Sequence, residues 1–289
     1  MDFYIENEHL RASFVSKGAE LQRITGIDSE TEYLWSGDSA YWAKYSPILF
    51  PIIGALKENS YRFNGKDYSL PRHGFARDTD FEIESLSDQE IVFKLESTEE
   101  TLKVYPFAFT LKVRYRLSGA TVSCTYEVFN PAQDELLFSI GGHPAFAVPL
   151  NKQGVYTDYF LQFSDDSELT YHEIKDNLIS DQTVTLSLPE NKLMLEHQLF
   201  YEDALVIKSL KSKSISIMNT KTYNGINFKF HDFPYFGIWA AKDADFVCLE
   251  PWCGIADSTN HNQQLSEKEG IIILAPNAEW QRTWEVTCF

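Results

Sequence analysis

The stretch from Phe109 to Val128 constrains the fold more than any other part of the chain. Phe109, Leu111, Val113, Tyr115 and Leu117 alternate with Thr110, Lys112, Arg114 and Arg116. After Ser118-Gly119 the alternation resumes, with Ala120, Val122, Cys124, Tyr126 and Val128 on one side and Thr121, Ser123, Thr125 and Glu127 on the other. A period of two marks strands with one face in a core and one in water, so this stretch predicts a long hairpin. The C-terminus repeats the pattern, with Trp280, Trp284, Val286 and Cys288 on one face.

Shorter hairpins are expected elsewhere. Tyr61–Phe63 and Tyr68–Leu70 flank the turn dipeptide Asn64-Gly65. Phe81–Glu84 and Ile91–Leu95 flank Ser87-Asp88-Gln89, and Ala204–Ile207 and Ser214–Met218 flank Lys208–Lys213. Helical periodicity is confined to short turns near Ser39–Tyr45 and Glu99–Tyr105. No Pro-rich or Gly/Ser-rich linker and no repeat divides the 289 residues. The pattern predicts an all-β chain, one large antiparallel β-sandwich domain spanning residues 1–289.

Charge narrows the partners. The formal net charge is −17. Nucleic-acid affinity depends on neutralising phosphates, so no nucleic-acid partner is expected, and the chain gives no long-range attraction to anionic membranes. A neutral small molecule is favoured, although a single arginine can override this locally. No apolar run approaches the ~18–20 residues needed to span a bilayer. The stretch Met1–Glu8 is acidic and lacks the basic and apolar regions of a secretory signal, which predicts a cytoplasmic protein. Cys124, Cys248, Cys253 and Cys288 contain no C-x-x-C spacing and read as reduced, mostly buried thiols. No metal site or cofactor is expected.

Three clusters do not look like plain strands. In Gly141-Gly142-His143-Pro144-Ala145-Phe146, the proline pushes His143 towards extended backbone, and the two glycines suggest space for a ligand. A structural histidine in a tight turn fits the same residues. In Leu249-Glu250-Pro251-Trp252-Cys253-Gly254, an apolar strand, Phe246–Leu249, ends on a glutamate. An exposed indole at Trp252 beside that carboxylate would suit the apolar face of a sugar, and an ordinary surface carboxylate fits equally. In Arg72-His73-Gly74-Phe75-Ala76-Arg77, two arginines favour a neutral His73 by repulsion. His73, His143 and Glu250 lack local metal-ligand spacing. His9, His172, His197, His231 and His261 read as solvated surface residues. Trp35, Trp42, Tyr45, Phe75 and Trp239 are candidates for a stacking wall.

These clusters, with Phe50-Pro51-Ile52-Ile53-Gly54, the Asn64-Gly65 hairpin and Phe236-Gly237-Ile238-Trp239, resemble the aldose 1-epimerase (galactose mutarotase-like) family, most closely its LacX-like branch. The resemblance covers almost the whole chain and implies a galactose mutarotase-like supersandwich. It aligns His143 with the catalytic acid, Glu250 with the catalytic base and His73 with the second, sugar-contacting histidine. The family's additional aspartate corresponds to Asp203, with Glu202 as the alternative. Arg77, Trp252, Phe75 and Trp35 complete the expected substrate contacts. The chain departs from the pattern at Gly54-Ala55-Leu56-Lys57, where many relatives carry arginine directly after the glycine. The implied function is the interconversion of α and β anomers of an aldose by a monomer or homodimer. A hexose-6-phosphate mutarotase using Arg77 with Arg72 or Lys57, and a non-catalytic sugar-binding protein, stand as alternatives. A glycosidase is more distant, since only Glu250 is well placed to serve as one of its two carboxylates.

Overall fold

The computed structural model describes residues 2–152 and 154–289. Two large antiparallel sheets dominate it. Nine strands form one sheet, in the order Lys192–Met194, Tyr159–Phe163, Ser214–Asn219, Gly225–Lys229, Glu279–Cys288, Thr121–Phe129, Thr110–Ser118, Glu90–Glu96 and Glu82–Leu86. The second runs Leu178–Ser187, Glu168–Lys175, Leu205–Ile207, Tyr235–Trp239, Phe246–Cys253, Ile140–Gly142 and Ile48–Leu49, with Ala145–Ala147 also paired to Phe246–Cys253. The long hairpin forms as the alternation requires. Leu111, Val113, Tyr115 and Leu117 are buried, as are Val122, Cys124, Tyr126 and Val128 opposite them, while the polar residues between face outward. Ladders on that outer face join the strands: Thr125 Oγ1 lies 2.8 Å from Thr283 Oγ1, and Arg114 donates to both Glu90 and Glu127.

The two sheets share one apolar core. Phe228 of the nine-stranded sheet meets Phe236 of the other at a centroid distance of 6.4 Å, and Phe230 packs on Phe236 at 4.3 Å with the rings tilted. Trp284 Nε1 donates to Tyr126 Oη across neighbouring strands, and Gly142 sits against that pair from the opposite sheet. Smaller units flank the sandwich: a sheet of Asp2–Glu6, Leu10–Val15 and Leu21–Gly26, the hairpin Ser60–Phe63 with Lys66–Ser69, and the helix Glu99–Val104, which Thr98 caps by accepting from the Thr101 N–H.

The expected hairpin Ala204–Met218 does not form. Leu205–Ile207 joins the eight-stranded sheet and Ser214–Asn219 the nine-stranded one, so Lys208–Lys213 crosses between sheets. Residue composition alone could not separate a turn from a crossover there, because both are short and polar. Three histidines read as solvated are partly buried. His172 Nδ1 lies 3.1 Å from the Ser180 carbonyl, His197 stacks on Tyr156 at 4.0 Å, and the His261 side chain is only 10% exposed. All four cysteines are free and buried. Among the described residues no helix is long and apolar enough to cross a membrane.

Candidate active site

The strand Phe246–Cys253 carries the site. It lies inside the eight-stranded sheet between Tyr235–Trp239 on one side and Ile140–Gly142 and Ala145–Ala147 on the other, and all eight of its residues are buried. Glu250 does not end this strand. Pairing continues through Pro251 and Trp252 opposite Phe236 and Tyr235. Alternation places Cys248, Glu250 and Trp252 on one face and Val247 and Leu249 on the other. The first face is backed by a cavity of about 490 Å³, within the range that encloses a small molecule.

The two glycines before His143 serve packing rather than ligand access. A Cβ at Gly141 would come within 2.6 Å of the Trp252 ring, and one at Gly142 within 2.7 Å of Tyr126 Oη. Gly237, on the other neighbouring strand, would meet Trp252 at 2.5 Å. The indole therefore lies between two side-chain-free positions. It is buried, not exposed as expected, and among the described residues its Nε1–H meets no acceptor in good hydrogen-bond geometry, although the indole lies near enough to Glu250 to favour the carboxylate.

His143 is bracketed by backbone bonds. Its N–H donates to the Pro47 carbonyl, and the neighbouring Pro144 carbonyl accepts from Leu249 N–H. Its ring stacks on Trp42 at 5.0 Å and meets the edges of Trp239 at 5.6 Å and His73 at 5.9 Å. Nε2 lies 3.3 Å from Glu250 Oε2, and Nδ1 is buried with no hydrogen-bond partner among the described residues. His73 sits in a turn with φ of +68°, followed by Gly74 pressed against the Phe50 carbonyl. Its Nδ1 accepts from the Gly54 N–H at 3.1 Å, which leaves Nε2 as the protonated nitrogen of the neutral ring.

Burial governs the protonation of the group. It holds His143 down at about 3, with a smaller contribution from the positive charges of Arg72 and Arg77. Burial likewise holds His73 well below the ordinary histidine value, reinforced by His143 and then by the two arginines. Repulsion by the arginines, the cause the sequence suggests, is secondary to burial in the folded chain. Burial pushes the Glu250 carboxyl well above its ordinary value, aided by Asp203 and opposed by Arg72 and Trp252. Both shifts run towards the form of the His143–Glu250 pair in which neither group carries a charge, with the proton on the carboxyl.

His143, Glu250, His73, Arg77, Asp203 and Trp252 all line this cavity, as does Glu202. Trp35 and Phe75 do not. Trp35 packs on Phe246 at 4.8 Å and supports Trp42 by donating from Nε1 to its carbonyl, while Phe75 packs on Phe50, Tyr105 and Phe109. Of the expected stacking residues, Trp42 and Trp239 line the cavity, and Tyr45 does not. Arg72 reaches Asn177 Oδ1 at 3.0 Å and stands 4.0 Å from Asp203. Arg77 donates to the Arg72 carbonyl. Lys57 instead donates to the His261 carbonyl and is not among the lining residues; neither is Ala55. Asn177, Tyr201 and Lys242 also line the cavity from loops and hairpin tips that carry no local sequence signal.

Residues 1–287 match the family model described as aldose 1-epimerase.

This chain belongs to the aldose 1-epimerase family.

Among its relatives in that family, the chromosomal LacX protein of Lactococcus lactis subsp. lactis is 31% identical over 99% of both chains. A structure of a galactose mutarotase related enzyme from Lactobacillus acidophilus superposes with a TM-score of 0.95, at 32% identity over 100% of this chain and 97% of the other. A galactose mutarotase-like protein from Lactobacillus casei gives 0.91 at 30% identity, with both chains fully covered. In this chain the ligand atoms of His143, Cys248 and Glu250 lie within 4.8 Å of one another. Burial pushes both the Cys248 thiol and the Glu250 carboxyl above their ordinary values, towards their protonated forms. A metal would need them deprotonated, so the group suits proton transfer better than metal binding.

Proposed function

We propose that this protein interconverts the α and β anomers of a hexose, with His143 as acid and Glu250 as base. The observation that carries this reading is the 3.3 Å approach of two buried titratable groups at the wall of an aromatic-lined cavity. Ring opening requires a proton to leave O1 and another to reach O5. In the charged form of the pair, the Glu250 carboxylate takes the O1 proton and the C1=O1 double bond forms. The C1–O5 bonding pair moves to O5, which takes the proton from the His143 imidazolium. The pair is then neutral, the form that burial favours, so burial of the two groups supports the open-chain state. Rotation about C1–C2 and the reverse transfers close the ring with C1 inverted. Each positioned acid–base group contributes ~10²–10⁴-fold.

His73 offers an Nε2–H donor, and the Trp252 indole offers a second. Asp203 and Arg77 complete the polar contacts, and Trp42 and Trp239 receive the apolar sugar face. Free buried thiols suit a reducing compartment, in keeping with a cytoplasmic enzyme.

Polarimetry on a freshly dissolved single anomer tests the reading. His143→Asn and Glu250→Gln should each remove the catalysed part of anomerisation while leaving the fold intact. Acceleration by either variant equal to wild type rules out the pair. A second reading, a hexose-6-phosphate as substrate, is favoured by Arg72, Arg77 and Lys242 around the cavity of a chain with net charge −17. Saturation at much lower concentration by glucose 6-phosphate than by glucose would select it.

A further inference from the structure

Next to the cavity lies a buried charged cluster that anomerisation does not use. Lys268 Nζ donates to Asp257 Oδ1 at 2.6 Å, and the two side chains are 1% and 0% exposed. The second Asp257 oxygen accepts from the Lys57 backbone N–H at 2.9 Å and stands 3.2 Å from His261 Nδ1. Gln263 closes the cluster, its side-chain amide donating to the Lys57 carbonyl and to Ser60 Oγ. A buried ion pair is weak evidence for stability, because desolvation offsets the attraction. Its best-attested use is to select one arrangement among several.

The arrangement selected here reaches the site through the backbone. Asp257 N–H donates to the Ala55 carbonyl at 3.0 Å, and its carbonyl accepts from Ile179 N–H at 2.9 Å. Ala256, its neighbour, lines the cavity and packs so closely on Gly54 that a Cβ there would lie 2.4 Å from the alanine methyl. Gly54, with φ of +66°, exchanges two hydrogen bonds with His73. Its N–H donates to Nδ1 at 3.1 Å, and its carbonyl accepts from the His73 N–H at 2.8 Å. A small rotation of the 54–57 backbone would withdraw the Gly54 N–H and free the imidazole to exchange tautomers.

We propose that Asp257, paired with Lys268, is a positioning residue that pins the Ala55–Lys57 backbone so that Gly54 holds His73 as its Nε2-protonated tautomer. The consequence for sugar binding rests on the aldose reading above, whereas the tautomer itself does not.

Histidine labelled with nitrogen-15 reports the tautomer directly, with the His73 signal assigned by its loss in His73→Asn. Wild type should show one neutral form, protonated at Nε2. A mixture of tautomers at His73 in wild type overturns the proposal at once. Asp257→Asn alone strands the buried Lys268 ammonium, so the informative variant is Asp257→Asn with Lys268→Met, which removes both charges at similar volume. In the folded double variant the single-tautomer pattern at His73 should be lost. The KM for the sugar should rise about tenfold with kcat changed less than about threefold, the signature of lost ground-state and transition-state binding together. A folded double variant that keeps the pure Nε2-protonated pattern overturns the proposal whatever its kinetics. Wild type that fails to accelerate anomerisation would sink the aldose reading, yet the tautomer would still decide this inference.

Discussion

The strands Thr121–Phe129 and Phe246–Cys253 each lie inside a large sheet, and they treat their second faces differently. In Thr121–Phe129 every second residue is buried, and those between, Thr121, Ser123, Thr125 and Glu127, are half-exposed. In Phe246–Cys253 nothing is exposed, because the face opposite the core closes on a cavity instead of opening to water. A carboxylate on the first strand is solvated and paired with Arg114; a carboxylate on the second is sealed beside a histidine. The same residue type becomes a surface ion pair in one sheet and, as proposed above, an acid–base group in the other, and the face it occupies decides which.

The contrast breaks most sharply under one substitution made on both strands. Glu250→Gln should lower the catalysed rate of anomerisation by ~10²–10⁴-fold. Glu127→Gln should leave that rate unchanged and cost no more than about 1 kcal/mol in chemical denaturation. Comparable losses from the two variants would erase the distinction between the faces.

The core face of the site strand comes next. Leu249 is fully buried opposite Ile238, so Leu249→Ala should lower unfolding stability by about 2–5 kcal/mol. The residual folded enzyme should retain its kcat, because Leu249 points away from the cavity. A smaller effect is expected at Gly237, where an added methyl would meet the Trp252 ring at 2.5 Å. Gly237→Ala should shift the indole and raise KM about tenfold, at about 1–3 kcal/mol of stability. An unchanged KM would show that Trp252 does not shape the sugar subsite.

The same contrast explains what the sequence made legible. The hairpin from Phe109 to Val128 could be read because water on one face enforces a period of two. Phe246–Cys253 has no such period, and its continuation past Glu250 was hidden by Pro251. The short dipeptides around His73, His143 and Glu250 were legible as candidates, but their convergence came from family resemblance, since pairing across strands far apart in sequence brings them together. Trp35 and Phe75 could not be told from Trp42 and Trp239 by residue type. Which of two aromatic rings faces a cavity depends on packing partners such as Phe246 and Phe109, which lie far along the chain. Asn177, Tyr201 and Lys242 reach the site from hairpin tips and loops whose positions only the assembled sheets define.

The pH dependence of catalysed anomerisation tests the central claim, that His143 and Glu250 act as one buried unit holding a single proton. Burial lowers His143 to about 3 and raises Glu250 well above the ordinary carboxylate range. Activity should disappear on the acid side only when a second proton enters the pair, and on the alkaline side only when the last proton leaves. After subtraction of the buffer-catalysed rate, kcat/KM should therefore stay flat down through pH 6.5 and fall only far below it, towards 3. Half-loss near 6.5, the ordinary histidine value, would contradict the account.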